Sequence, residues 1–359
     1  MFAFECSDER SECRDQDTTE VISCAVLASP RLCRKAWVFL PPARCAPMIV
    51  VLTIVAPVFG LIALGYIAGR WNILDAGAGR GLTDFAFKFG IPALLCKTVA
   101  TAKFADLSPL AVWGGFYVAA AATWLLATVV SRIVLARPAL DGPAIAISSV
   151  FGNTAMLGLP LSLATFGPSA AAPVALVLSV HAPLLWLAGL VHSAAVSDQS
   201  RSTPAEMLAG LLGELARNAI IMGIAIGALW RLTGLDLPVA IGRMLELLAQ
   251  AGVPASLVAL GLTLVNFEVK GQARTLATVL ALKLVVMPLL AWTVAAKVFG
   301  LGGVTLGVIV ILAAMPAGAN AYLFAVKEGR AVNSASGAVA LGSILAAMTT
   351  AVIISLLTL

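Results

Sequence analysis

The chain has 359 residues, of which 60% are hydrophobic and only 11% charged, with a mean hydropathy of +1.00. Soluble domains average about 45–50% apolar and about 25% charged residues, so a water-soluble domain is excluded as the main body. The formal charge of +5 does not indicate nucleic-acid binding, because Lys and Arg stand singly between apolar blocks and form no basic patch. Those blocks recur at roughly 20 residues, the length that spans a bilayer, and the lipid bilayer is the expected surrounding.

Residues 1–47 do not share this pattern. They hold five of the six cysteines (Cys6, Cys13, Cys24, Cys33, Cys45), seven of the eighteen acidic residues and six of the twenty-three basic ones. The beginning is acidic and its apolar run, Val21–Leu27, is short, which does not suit a secretory signal. The cysteine spacings match no zinc template. A poorly ordered N-terminal extension is expected, explained by a start codon assigned upstream of Met48; a disordered tail or a functional segment are the alternatives. Met48 opens an apolar run directly.

From there ten candidate spans follow in order: about 48–69, 82–101, 109–136, 142–164, 168–192, 212–233, 239–265, 275–299, 302–325 and 331–358. The expected fold class is an all-α polytopic membrane protein. The longest connection, 193–211, contains Asp198-Gln199-Ser200-Arg201-Ser202 and divides the chain into two five-span halves, 48–192 and 212–359. The first span of each half carries a small-xxx-small pattern, Gly65 to Gly69 and Gly223 to Gly227. Such patterns permit close helix approach, within one chain or across a homodimer.

Span 4 contains Gly152-Asn153-Thr154-Ala155-Met156-Leu157-Gly158-Leu159-Pro160, and span 9 contains Met315-Pro316-Ala317-Gly318-Ala319-Asn320-Ala321. Both pair membrane-grade hydrophobicity with residues that interrupt a helix. In hydrocarbon an unpaired backbone N–H or C=O costs several kcal/mol, so such an interruption is tolerated where it lines a cavity. Paired interruptions at corresponding places in two halves point to a transporter's binding site. Pro160 and Pro316 are expected to cause the breaks. Asn153 and Asn320 each offer amide donors and a carbonyl acceptor, and with Gly152, Thr154 and Gly318 are the expected solute contacts. Capping of the break is the alternative role for the two asparagines. Half-helix N-termini at such breaks favour a carboxylate.

Three further groups stand out. His181 lies inside span 5, and its imidazole suits proton coupling or, alternatively, hydrogen-bonded packing. Lys283 sits eight residues into the otherwise apolar span 8, where lysine costs about 2.5–3.5 kcal/mol on insertion scales and faces protein or a water-filled cavity. It is expected to hold an anion electrostatically, the alternative being neutralisation of a broken helix's carbonyl end. Asp84 and Glu246, near the ends of spans 2 and 7, are candidates for cation coupling, although Asp84 can also pair with Lys88 at i,i+4.

The halves repeat at an offset of 162 residues through their first two spans: Gly65 falls on Gly227, Asp84 on Glu246, Gly90 on Gly252, Ile91-Pro92-Ala93 on Val253-Pro254-Ala255, and Leu95 on Leu257. Because five spans is an odd number, the second copy enters the membrane inverted, the plan of many secondary carriers. The connections after odd spans carry ten basic residues and those after even spans five. The positive-inside rule then puts the odd connections in the cytoplasm and both ends of the ten-span core outside the cell membrane.

Several of these residues together resemble the auxin efflux carrier family: Pro57-Val58-Phe59-Gly60, Leu64-Gly65-Tyr66, Pro92-Ala93-Leu94-Leu95, Gly152-Asn153, Leu157-Gly158-Leu159-Pro160-Leu161, Lys283 with Pro288, and Met315-Pro316 with Asn320-Ala321. The resemblance covers about 48–359. It implies ten helices with spans 4 and 9 unwound and crossing at the centre. It further implies a scaffold of spans 1, 2, 6 and 7 and a mobile domain of spans 3–5 and 8–10. Typical substrates of the family are organic anions, and the short link between halves is similar to its bacterial malonate and malate carriers.

The chain contains no GxSxG elbow, P-loop, strand-linked GxGxxG or HExxH, and only two histidines. No enzyme activity, metal site or cofactor is expected; a proton or ion gradient is the expected drive. The expected function is a secondary carrier of small organic anions, mono- or dicarboxylates, working by elevator-type alternating access. The alternatives are a sodium-coupled symporter or cation antiporter of the related crossed-helix plan, and a membrane sensor that moves nothing.

Overall fold

The computed structural model describes residues 45–101, 108–197, 213, 217–267 and 273–358, with residues 5–6, 12–14 and 21–23. Those last residues are three short strands, β1 (Glu5–Cys6), β2 (Glu12–Arg14) and β3 (Val21–Ser23), paired antiparallel in that order. Contacts divide the chain into Met1–Ile49 and Val50–Leu359. The expected disorder of 1–47 otherwise falls outside the described residues, as does most of the 193–211 link.

The second unit is helical. Among the described residues six helices are long and apolar enough to cross a membrane: Thr53–Arg70, Pro109–Ile133, Thr154–Val196, Val239–Leu264, Ala273–Val298 and Val332–Leu357. Three shorter apolar stretches join them, Ala139–Val150, Ala219–Leu232 and Gly303–Ala313. The difference from ten spans has physical causes. Spans 4 and 9 are interrupted, so their pieces are individually short. The second piece of span 4 also runs on into span 5 through a bend at Gly167, whose φ of +65° suits glycine.

In chain order the helices are α1 (Cys45–Arg70), α2 (Ala76–Phe85), α3 (Ile91–Thr101), α4 (Pro109–Ile133) and α5 (Gly142–Val150). Then come α6 (Leu159–Phe166), α7 (Ala171–Val196), α8 (Ala219–Leu232), α9 (Val239–Leu264) and α10 (Ala273–Ala281). The chain closes with α11 (Met287–Thr293), α12 (Gly303–Ala313), α13 (Ala319–Glu328) and α14 (Val332–Thr358). Local chemistry sets several beginnings. Asp75 Oδ1 accepts the Ala78 N–H at 2.7 Å to cap α2, and Asn218 Oδ1 accepts the Ile220 N–H at 3.0 Å to cap α8.

Prolines mark three of the four wide turns among the described residues, the fourth being Val294–Val298. The π-helical segments Ala86–Gly90, Thr154–Gly158 and Leu282–Val286 each end two residues before a proline, namely Pro92, Pro160 and Pro288. Proline lacks an N–H and its ring meets the carbonyl four residues back. Widening the preceding turn to i→i+5 bonding carries the helix around that obstruction.

Glycines set how closely helices approach. A Cβ at Gly65 of α1 would run into the Val258 backbone of α9, and one at Gly227 of α8 into the Cys96 backbone of α3. Both small-xxx-small patterns are therefore used inside the chain. The two contacts exchange under the 162-residue offset, since Cys96 falls on Val258 as Gly65 falls on Gly227. Gly90 and Gly252, repeat mates themselves, touch each other backbone to backbone. Around the other helices, Phe116, Ile147, Val174, Met287, Ile309 and Phe324 anchor the largest buried apolar cluster.

A methyl group at Gly252 would have only backbone to push against, because the atoms it meets are Gly90 Cα and C and Ile91 N. Gly252→Ala is expected to lower the thermal unfolding midpoint, by the equivalent of about 1–3 kcal/mol for overpacking. Gly242→Ala in the same helix, with nothing within 4 Å of the new atom, should not lower it. Differential scanning fluorimetry of the two variants checks both outcomes.

Candidate functional site

The two interruptions close on each other. Helix α5 ends at Val150, and residues 151–153 leave the helical path before Thr154–Gly158 resumes it. Helix α12 ends at Ala313, and α13 begins at Ala319. Between these pieces Gly152 and Ala317 form an antiparallel bridge. The Asn153 N–H donates to the Pro316 carbonyl at 2.8 Å, and the Gly318 N–H donates to the Phe151 carbonyl at 2.9 Å. Each break thus supplies partners for the other's orphaned backbone, which in an apolar interior would otherwise cost several kcal/mol per group.

That arrangement frees the asparagine side chains. Neither Asn153 nor the α13 N-cap Gly318 makes a side-chain capping bond, and no hydrogen bond links the Asn153 or Asn320 amide to another described residue. The backbone N–H groups of Thr154, Ala155 and Met156 open one half-helix, and those of Ala319 and Asn320 open the other. These are the positions that a helix leaves without intrahelical acceptors.

A cavity of about 520 Å³ lies against this join. Gly152, Asn153, Thr154, Gly318 and Asn320 all line it, as does His181 of α7. The same space is lined by Thr83, Phe87 and Lys88 of the α2–α3 region and by Arg217 and Asn218 at the beginning of α8. Among the described residues the lining contains two cations and no carboxylate. An annex of about 220 Å³, lined by Pro183, Trp186 and Ile221, shares Phe151, Asn218 and Asn320 with the main cavity.

His181 is 2% exposed, and Phe116, Tyr117 and Phe151 surround its ring at centroid distances of 5.5, 6.3 and 5.0 Å. Neither ring nitrogen forms a well-shaped hydrogen bond, and the Gly152 backbone is the polar group beside it. This imidazole therefore touches the join from the aromatic side of the cavity.

Lys283 stands on the far side of the join. It is 1% exposed and does not line the cavity. Its ammonium donates to the Ala313 carbonyl at 2.7 Å and lies 3.1 Å from Met287 Sδ. No carboxylate among the described residues pairs with it. Ala313 ends α12, so the charge sits at the negative end of that helix dipole. Gly152 allows this approach: a Cβ there would meet Lys283 Nζ at 3.1 Å and Met315 O at 3.3 Å.

The other expected residues lie elsewhere. Asp84 pairs with Lys88 at 2.9 Å, with both side chains more than half exposed, and lines a separate cavity with Asp75 and Asn266. Glu246 is held by Arg243 at 3.1 Å and Lys97 at 3.5 Å. Pro316 lies in the span 9 break, whereas Pro160 lies one helical stretch beyond residues 151–153 and sets the π segment. There the Met156 carbonyl, four residues before Pro160, accepts a long bond of 3.4 Å from Ser256 Oγ of α9.

Lys88, Arg217, Asn218 and Phe151 were missed as cavity residues. An asparagine directly before an apolar run is a readable N-cap signal for Asn218. Arg217 reads as an ordinary loop charge, and nothing local marks Phe151.

Membrane-crossing helices, together with two breaks that satisfy each other beside a polar cavity, define an integral membrane protein of the transport class. The chain belongs to the membrane transport protein family, that of the auxin efflux carriers, which it matches over residues 50–354. It is 26% identical over 304 residues to a Rhizobium meliloti protein named "Putative malonate transporter", covering 82% of this chain and 92% of that one. An "Uncharacterized transporter" of Methanothermobacter thermautotrophicus is 24% identical over 300 residues, 81% of this chain and 93% of that one. The mouse "Lysosomal cholesterol signaling protein" is 25% identical over 249 residues, 65% of this chain but only 28% of that longer protein.

Replacing Lys283 by Leu would remove the one side-chain donor that the described residues offer the Ala313 carbonyl. An unsatisfied buried acceptor costs about 1–3 kcal/mol, so Lys283→Leu is expected to lower the unfolding midpoint of the purified protein. An unchanged midpoint in a detergent melt would remove the capping role.

Proposed function

We propose that the chain is a secondary carrier of small organic anions, mono- or dicarboxylates, with its substrate held where the two breaks meet. The observation that carries this is the chemistry of the 520 Å³ cavity: amides at two half-helix N-termini, two asparagines whose side chains bond to no described residue, two lining cations and, among the described residues, no lining acid. Half-helix N-termini with unwound backbone are how many carriers hold a carboxylate near the bilayer centre. The malonate description of the Rhizobium meliloti relative agrees with this substrate class.

In this reading the chain holds ten spans as two inverted five-span repeats, 48–192 and 212–359, joined by a cytoplasmic link at 193–211. The core ends face the outside of the cell membrane. The reciprocal contacts of Gly65 with Val258 and Gly227 with Cys96, around the Gly90–Gly252 contact, support a two-fold relation between the repeats. They also tie spans 1, 2, 6 and 7 into a fixed frame. The spans that carry the join then move against this frame in an elevator-type cycle, driven by a proton or ion gradient with no prosthetic group. Lys283 acts through the join, as a fixed positive charge behind Gly152. His181, against the Gly152 backbone, is the candidate coupling group. Asp84 and Glu246 do not line the cavity and are each engaged by neighbouring cations, which does not favour a cation-carrying cycle. The surrounding partner is the bilayer, and a homodimer is compatible with this plan.

The Asn320 side chain bonds to no described residue, so its loss removes a solute contact without a structural cost. Asn320→Ala is expected to melt like the wild type and to lose most carboxylate uptake into proteoliposomes, by about tenfold or more, as expected for a hydrogen bond to a charged group. Uptake at the wild-type rate would remove the binding assignment.

A further inference from the structure

We propose that Arg217, with Asn218 beside it, forms a second anion subsite in the cavity that the join also lines, so that the cavity is built for a solute with two anionic groups. This rests on the carboxylate reading given above.

Arg217 immediately precedes Asn218, the N-cap of α8, and both line the same 520 Å³ space as Asn153 and Asn320. The other lining cation, Lys88, is matched by Asp84 at 2.9 Å. No ion pair or hydrogen bond joins the Arg217 side chain to another described residue. Among the described residues, Arg217 is therefore the charge of this wall without an acidic partner. A guanidinium presents a planar fork of donors that fits a carboxylate bidentately, which a lysine ammonium does not.

Asn218 adds direction. Its Oδ1 is committed to the Ile220 and Ile221 N–H groups at 3.0 and 3.4 Å. The amide is thereby oriented, and its Nδ2 donors are left without a partner among the described residues. A solute with one carboxylate at the half-helix amides can place a second at this fork. A monoanion leaves Arg217 to water.

The two walls also belong to different parts of the proposed carrier: the join to the moving spans, Arg217 to the fixed frame. A dianion therefore bridges the two parts only when they stand as they do here. Two-ended grip is lost when the parts separate, which loosens the solute at the opposite stage of the cycle.

The test is equilibrium binding to the full-length purified protein by isothermal titration calorimetry. It compares malonate and succinate with their monoamides, malonamate and succinamate, which keep the shape and lose one charge. The wild type should prefer one or both diacids to the matching monoamide. Arg217→Gln should weaken that diacid about tenfold or more, the size of a charge-assisted pair, while changing monoamide binding little. Arg217→Lys, which keeps the charge without the fork, should fall between. Asn320→Ala should weaken diacid and monoamide alike, because it acts at the shared end. Equal losses for both ligands in Arg217→Gln, or no loss, would overturn the second subsite and leave the first standing. A folded wild type that binds none of the four overturns the carboxylate reading and this inference with it. Arg217 is exposed and bonds to no described residue, so all variants should melt as the wild type does.

Discussion

Four backbone groups at the centre of this protein constrain everything around them. Where two helices stop inside an apolar interior, their open N–H and C=O groups need partners or the structure does not form. Here the Asn153 N–H meets the Pro316 carbonyl and the Gly318 N–H meets the Phe151 carbonyl. The small residues at the join follow from that requirement. Gly152 and Gly318 permit the contact because a side chain at either would press on the opposite strand or on Lys283. The mutual pairing has a functional corollary: once backbone satisfies backbone, side-chain amides and half-helix N-termini are left over for a solute.

Opposite charges then sort themselves about the join. The C-terminal end of α12 concentrates carbonyl dipoles, and the one buried ammonium in this region, Lys283, is bonded there. The N-terminal ends of α13 and of Thr154–Gly158 face the cavity. Positive helix ends on the cavity side and a capped negative end behind them are the polarity that the proposed anion would meet. The lysine is thus part of the frame of the site and not one of its walls. On the other side of the molecule, glycine-mediated contact of α1 with α9 and of α3 with α8 brings backbones together without intervening side chains. Such contacts are stiff, because backbone offers no rotamer through which to yield.

How much of this was legible in the sequence depends on which physical signal each feature carries. The breaks were legible because Gly-Asn and Met-Pro-Ala-Gly within apolar runs are locally incompatible with an unbroken helix. The offset repeat was legible because Pro92 and Pro254 recur with a carboxylate eight residues before each. The meeting of the two breaks was not, since it depends on the packing of residues more than 150 positions apart. The location of Lys283 behind the join needed the path of α12, which no local pattern gives. Pro160 was read as a cause of the break, whereas its effect is the wide turn before it; proline disturbs the preceding turn, and the non-helical residues lie further upstream. Asp84 and Glu246 drew attention as repeat mates, yet neither lines the cavity, and their neighbours Lys88, Arg243 and Lys97 engage them. Arg217 shows the converse, an ordinary loop charge that the fold turns into a wall of the cavity.

The central claim is that a carboxylate occupies the half-helix amides at the join. Hydrogen exchange of the backbone, followed by mass spectrometry with and without saturating malonate or succinate, reads those amides directly. A bound carboxylate should slow exchange in peptides covering 154–156 and 319–320 and leave the distant Asp75–Asn266 cavity unchanged. Protection confined to that outer cavity, with the join exchanging as fast as in the free protein, would contradict the account.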